Sequence, residues 1–166
     1  MRATVTADGW MVWGQRRARA ALGEGGIVSE KREGDGATPS GLLPVRRVLY
    51  RADRLPMPPR ATLPREPIGQ QDGWCDDPAS PDYNRPVRLA HFSARHERLW
   101  RQDGLYDVVC VLGWNDAPVV SGRGSAIFLH VARADYRPTQ GCIALALPDL
   151  LAALAEGVDV LDVRTG

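Results

Sequence analysis

Apolar and polar residues alternate in short runs along the first fifty positions. Arg2-Ala-Thr-Val-Thr-Ala7 stops at Asp8-Gly9, and Trp10-Met-Val-Trp13 follows. An Asp-Gly pair between alternating segments is a type I′ hairpin signal, so residues 1–29 are expected as an N-terminal β-hairpin region. Lys31 to Gly41 is broken too often by glycine and proline for a regular element, and Leu42 to Tyr50 reads as a strand. Residues 53–86 hold most of the prolines and show no periodicity. They are expected as a long irregular loop, and loops of that length in a compact domain are usually functional. The second half is more regular. Leu105 to Gly113 is an apolar run rich in β-branched residues and reads as a buried central strand. Gly124 to Val131 reads as another. Pro148 to Ala155 predicts a short helix, with proline at its first position and Leu150, Leu151 and Leu154 as its apolar stripe. Gly157 stops it, and Val158 to Val163 alternates as a closing strand. The pattern predicts a mostly β fold with one or two short helices packed on it.

The chain has 166 residues, the length of a single domain spanning 1–166. Lys+Arg is 21 against 20 for Asp+Glu, which argues against nucleic acid or a polyanionic membrane surface as partner. No window approaches the ~18–20 apolar residues of a membrane span. Residues 1–22 lack the charged start, apolar middle and cleavage site of a secretory signal, as a soluble chain or a mature form without its leader would. The scarce residues are Cys75, Cys110 and Cys142, with His91, His96 and His130. Three cysteines build neither a disulfide scaffold nor a four-thiolate zinc site, and no Cys/His spacing fits a metal.

Candidate chemistry concentrates in Ile127-Phe-Leu-His130 and Pro138-Thr-Gln-Gly-Cys-Ile-Ala-Leu145. A strand ends at a histidine, a loop crosses over, and a Gly-Cys pair stands before an expected turn. A cysteine attacks as thiolate, and an adjacent imidazole can take its proton and hold it as an ion pair. Gly141 lets the backbone bend and a substrate carbonyl approach, and backbone N–H groups around Gly141 and Cys142 are candidates for an oxyanion hole. The plainer reading makes Cys142 a small buried hydrophobe and His130 a satisfied strand residue.

The segment resembles the signature of the YkuD-type L,D-transpeptidases, whose pattern runs from a strand-ending histidine through a loop to Ser/Thr-His-Gly-Cys, an apolar residue, and Arg or Asn. Ile127 to His130 matches the first part and Thr139-Gln-Gly-Cys-Ile143 the second. Lys31 to Gly41 is similar to the family's upstream turn. Gly73-Trp-Cys-Asp-Asp77, Tyr83-Asn84, Leu105-Tyr-Asp107 and Gly113-Trp-Asn115 look like one subgroup, so the resemblance covers about residues 30 to 163. Gln140 stands where most members have a second histidine, and Ala144 where Arg or Asn is usual. The resemblance implies a β-sandwich of mixed sheets and a location in the periplasm or cell envelope. It also implies a cysteine enzyme that needs no metal or organic cofactor and works on the stem peptides of peptidoglycan, both as donor and as acceptor. Cys142 would attack a carbonyl next to an L-centre and form a thioester. His130 would act as general base and then acid, and the diaminopimelate side-chain amine of a neighbouring stem would resolve the thioester in a 3–3 or 1–3 cross-link. Water in place of the amine gives an L,D-carboxypeptidase or endopeptidase. A decayed site gives a non-catalytic peptidoglycan-binding module.

Further residues are candidates to line this site. Thr139, Gln140 and Ser125 lie nearest in the pattern. Asp76-Asp77 with Trp74 either holds a cationic amine or caps a turn. Arg123, between Gly122 and Gly124, suits a stem-peptide carboxylate, since arginine binds carboxylates in two-pronged fashion. His96, Tyr83 and Asn115 complete the set, Cys110 is expected in the core, and no disulfide is expected between Cys75 and Cys110.

Overall fold

The computed structural model describes residues 1–166 as fourteen strands and one helix. In chain order they are β1 (Arg2–Thr6), β2 (Trp10–Trp13), β3 (Arg16–Ala21), β4 (Ile27–Val28), β5 (Thr38–Pro39), β6 (Gly41–Tyr50) and β7 (Arg65–Pro67). There follow β8 (Asp72–Cys75), β9 (Pro86–Arg88), β10 (His96–Arg98), β11 (Val108–Leu112), β12 (Phe128–Val131), β13 (Ile143–Leu145), α1 (Leu147–Ala155) and β14 (Val160–Val163). The first hairpin forms, with a different turn from the one expected. Thr6 pairs with Trp10, so Ala7, Asp8 and Gly9 all lie in the loop, and only Gly9 takes a positive φ, +80°. Glycine in the left-handed region at the end of a three-residue loop is the alternative to a type I′ turn.

Two mixed layers share their longest strands. In β6, Gly41 to Pro44 pair with β14, while Val45 to Tyr50 pair with β11. The register slips between Val111 and Leu112, where Val111 faces Arg47 and Leu112 faces Val45. Leu43 and Val45 point inward before this bulge and Val48 after it, a change of parity by one residue. A bulge lets a strand turn the corner from one layer into the next. In β3, residues Arg16 to Arg19 pair with β2, and Ala20 and Ala21 pair with β13. The order β11-β12-β13-β3-β2-β1-β14-β6 therefore closes on itself through the β6–β11 pairing.

Between the layers lies a core that includes Trp13, Met11, Leu43, Leu129, Ile143 and Leu161. Helix α1 presses Leu150, Ala153 and Leu154 into it, and Gly157 ends the helix at φ +85°. Strand β11 is buried at all five positions: Val108, Cys110 and Leu112 face this core, and Val109 and Val111 face a second cluster. Burial on both sides is why the run reads as unbroken apolar sequence.

The second cluster positions the site. Phe128 stands between Trp74 and Tyr106, edge-on to both at 5.3 and 6.0 Å. Trp74 belongs to a three-stranded sheet, β10-β8-β9, laid over the outside of β11 and β12. The stretch 53–86, expected as irregular, thus carries β7, β8 and the first residue of β9. These strands are three or four residues long. Gly73, Trp74 and Cys75 are all buried, so no alternation marks β8. No helix is long and apolar enough to cross a membrane.

Candidate active site

In β12, Leu129 points into the main core and Phe128 to the opposite face, which places His130 on the Phe128 face. In β13, Ile143 and Leu145 point into the main core, which places Ala144 and Cys142 on that same opposite face. The strands run parallel with Leu129 opposite Ile143 and His130 opposite Ala144. Strand pleating alone therefore delivers the thiol and the imidazole to one pocket of about 370 Å³. The Gly-Cys pair stands before a short strand here, where a turn was expected.

The backbone around Cys142 is fixed by several groups. Gly141 takes φ +128°, and a Cβ there would stand 2.8 Å from the Ala37 carbonyl oxygen, so only glycine fits. Thr139 Oγ1 donates to the Cys142 carbonyl at 2.6 Å and accepts the Gly141 N–H at 3.2 Å. Thr38 Oγ1 adds a longer bond to the same carbonyl, 3.4 Å. The thiol donates to the Ala126 carbonyl at 3.2 Å. Ala126, at φ +53°, donates its N–H to Asn84 Oδ1 at 3.0 Å. Asn84 is buried and fully engaged: Oδ1 also accepts Trp74 Nε1–H, and Nδ2 donates to the Trp114 and Asn115 carbonyls at 3.0 and 2.8 Å.

His130 Nδ1 lies 2.9 Å from the Val131 carbonyl oxygen, which assigns the Nδ1 proton and leaves Nε2 as acceptor. The group that holds Nδ1 is thus a main-chain carbonyl. The ring stands edge-on to Tyr106 at 5.2 Å. Burial pushes its pKa down to about 4. Burial, then the charge of Glu97, pushes the Cys142 thiol up to about 12. Both shifts favour the neutral thiol and the neutral imidazole over the ion pair that the motif suggests. The oxyanion expectation narrows too. The Gly141 N–H is spent on Thr139, whereas the Cys142 N–H has no acceptor in the protein.

The pocket lining carries both charges. Glu33, Asp76 and Glu97 are its carboxylates. Glu33 Oε2 accepts Tyr83 OH at 2.5 Å and Ser125 Oγ at 2.8 Å, and Arg95 bridges Glu33 and Asp76 at 3.5 and 3.0 Å. Glu97 accepts Tyr106 OH at 3.0 Å, and burial raises its carboxyl pKa. Arg101, Arg133 and Arg137 line it as well, paired with Asp103 and Asp135, and Gln140 is exposed at the rim. No group of three His, Cys, Asp or Glu is placed to hold a metal.

Of the candidates from sequence, Ser125, Asp76, Thr139 and Gln140 line the pocket with the central pair, and Tyr83 stands behind Glu33. Trp74, Asn115, Arg123 and His96 stand outside it. Trp74 packs under Phe128, and Asn115 ties its own loop through the Val120 and Gly124 carbonyls. Arg123 is exposed, and His96 packs on Phe92. Asp77 accepts the Ala79 N–H at 3.0 Å and so caps a turn. All three cysteines are free, with Cys110 in the core. Sequence reasoning missed Glu33, Glu97, Tyr106, Arg101, Arg133 and Arg137 as pocket residues, and no spacing among them would have found them.

Compared with models of protein families, residues 2–162 match the YkuD family, the L,D-transpeptidase catalytic domain. The match takes in the N-terminal hairpin, which lies outside the region that carried the resemblance. No curated protein and no solved structure matches the chain.

Proposed function

The chain belongs to the YkuD family of L,D-transpeptidase catalytic domains, whose activity is directed at peptidoglycan, and from that premise we propose that it is a peptidoglycan L,D-transpeptidase with Cys142 as nucleophile and His130 as base. The observation that carries this is the placement of both side chains on one face of adjacent strands, with Nδ1 of His130 tied to Val131 and Nε2 free to take a proton.

The first step turns the thiol from the Ala126 carbonyl to His130 Nε2. His130 takes the proton as sulfur attacks a stem-peptide carbonyl next to an L-centre. A base whose pKa is lowered by burial still accepts this proton, because the transfer is coupled to formation of the C–S bond. The Cys142 N–H steadies the oxyanion. The imidazolium then protonates the departing amine, leaving a thioester and a neutral imidazole. Arg101, Arg133 and Arg137 suit the carboxylates of a stem peptide. The diaminopimelate side-chain amine of a neighbouring stem resolves the thioester, in the periplasm or cell envelope where that substrate lies. The route uses no metal or organic cofactor.

Water as acceptor would make the protein an L,D-carboxypeptidase or endopeptidase. A non-catalytic binding module is favoured by Gln140 and by Ala144, which is buried directly opposite His130. Masses of muropeptides after incubation, with and without an amine acceptor, separate the three. Cross-linked products that vanish in Cys142→Ala support the transpeptidase. Shortened stems alone favour the hydrolase. Unchanged muropeptides, with no covalent carbapenem adduct at Cys142, would leave the binding module.

A further inference from the structure

Glu97 lines the same pocket as the nucleophile with a half-buried carboxylate, and its charge works against the first step by favouring the protonated thiol. Its surroundings suit the second step. Glu33 and Asp76 are already engaged by Arg95, and Glu33 also by Tyr83 and Ser125. Glu97 has a single side-chain partner, the Tyr106 hydroxyl on Oε2, and it makes no ion pair, so Oε1 is left open beside the pocket. Tyr106 in turn touches the His130 ring, so Glu97, Tyr106 and His130 form one continuous wall around Cys142. An acceptor amine arrives as ammonium at neutral pH and cannot attack until it loses a proton.

Building on the proposed function, we propose that Glu97 is the acceptor-side base: Oε1 binds the incoming ammonium and removes one proton, freeing the amine to attack the Cys142 thioester. The ammonium gives its proton to the carboxylate, and the amine lone pair forms the C–N bond. His130 Nε2 takes the second proton from that nitrogen as the tetrahedral intermediate expels the Cys142 thiolate. The imidazolium then returns its proton to sulfur, and Glu97 releases its own to solvent. The groups that set the proton affinity of Glu97 are Tyr106 and Arg101, which lower it, and burial with Asp76 and Glu33, which raise it.

The test compares wild type with Glu97→Gln, which keeps an oxygen for Tyr106 OH. A tetrapeptide stem serves as donor, and release of its terminal D-amino acid reports acylation. Two acceptors resolve the thioester: diaminopimelate, an ammonium at pH 7, and hydroxylamine, which is neutral there. Glu97→Gln should acylate at least as fast as wild type, lose aminolysis by diaminopimelate by about 100-fold, and keep aminolysis by hydroxylamine within about threefold. Equal loss with both acceptors, parallel loss of acylation, or no loss with either would overturn the inference and leave the proposed function standing. A wild-type protein that acylates but never transfers to diaminopimelate would overturn it as well. Absence of acylation in the wild type would overturn the proposed function, and this inference with it.

Discussion

The Cys142 thiol gives its hydrogen bond to the Ala126 carbonyl at 3.2 Å, although His130 shares its pocket. A main-chain oxygen cannot take the proton, so this bond favours Cys142, the proposed nucleophile, as thiol in the free protein. Burial and the Glu97 carboxylate hold it there by pushing its pKa up to about 12. Alkylation of Cys142 by iodoacetamide at pH 7 should therefore run at least ~10-fold slower than for an exposed cysteine with pKa near 8.5, and should climb steeply above pH 10. Intact mass of the wild type against Cys142→Ala reads this directly, and rapid labelling at neutral pH would mean a thiolate already formed.

The imidazole sets the acid side. Burial lowers the His130 pKa to about 4, so the rate of Cys142 acylation by an uncharged reagent should hold steady near neutrality and fall as pH drops through about 4. Folding follows the same proton. Below pH ~6.5 the unfolded chain protonates this histidine while the folded chain does not, so stability is lost as pH falls from 6.5 towards 4, by at most about 3 kcal/mol. His130→Gln should remove that loss and reduce acylation by at least ~1,000-fold. Urea melts at pH 7 and pH 5 test the first effect and adduct kinetics the second. An acid limb centred near 6.5 would contradict the buried, neutral imidazole.

Gly141 carries a demand that no other residue type meets. Its φ of +128° and the 2.8 Å approach of a Cβ to the Ala37 oxygen mean that Gly141→Ala must displace the β4–β5 side of the pocket or the Cys142 backbone. The expected cost is about 1–3 kcal/mol, read from a shifted urea midpoint at unchanged slope. Acylation should fall with it, because the displaced atoms are those that hold the Cys142 carbonyl. A variant with both properties intact would show that the turn tolerates a side chain.

Period two made the centre of the site legible. Phe128 and His130 alternate with Leu129, and Cys142 and Ala144 alternate with Ile143, so a strand on each side of the loop delivers both groups to one face. The β11 run was legible because burial on both faces needs apolar side chains throughout. The cover was not. Strands β8, β9 and β10 are three or four residues long, and each is defined by its partners: Glu97 lies opposite Trp74, and Trp74 opposite Pro86. No local pattern encodes such pairings, so Glu97 reached the pocket unannounced. Glu33 did so as well, from a turn organised by the ion pair of the buried Lys31 with Asp35 at 2.5 Å. The Asp8-Gly9 turn differed because dipeptide identity does not fix loop length.

Thr139 tests how far one hydroxyl orders the proposed nucleophile. Its Oγ1 holds the Cys142 carbonyl at 2.6 Å and the Gly141 N–H at 3.2 Å, and so ties both sides of the reactive residue to one atom. Thr139→Val keeps the shape and removes both bonds. Stability should drop by about 1–2 kcal/mol, while acylation should fall about tenfold through looser placement of sulfur. Thr139→Ser, which restores the hydroxyl, should recover most of the rate. A rate that tracks side-chain size and ignores the hydroxyl would assign Thr139 to packing alone.

Asn84 lies one step further from the thiol and is more demanding. Oδ1 accepts from Trp74 Nε1 and the Ala126 N–H, and Nδ2 donates to the Trp114 and Asn115 carbonyls. Every polar atom is used, so the amide cannot be reversed without losing all four bonds. Asn84→Asp keeps the accepting side but aims a buried carboxylate oxygen at two carbonyl oxygens. Unpaired buried groups of this kind cost about 1–3 kcal/mol each, more when charged, so the variant should lose at least about 3 kcal/mol at neutral pH. Protonating the new carboxyl restores a single donor, so part of the loss should return as pH falls below its raised pKa. Ala126 relaxes when its amide partner moves, and its carbonyl holds the resting thiol, so the alkylation profile of Cys142 should shift in the same variant. Equal stability of Asn84→Asp and wild type at pH 7 would show that the Asn84 contacts do not hold the Ala126 loop.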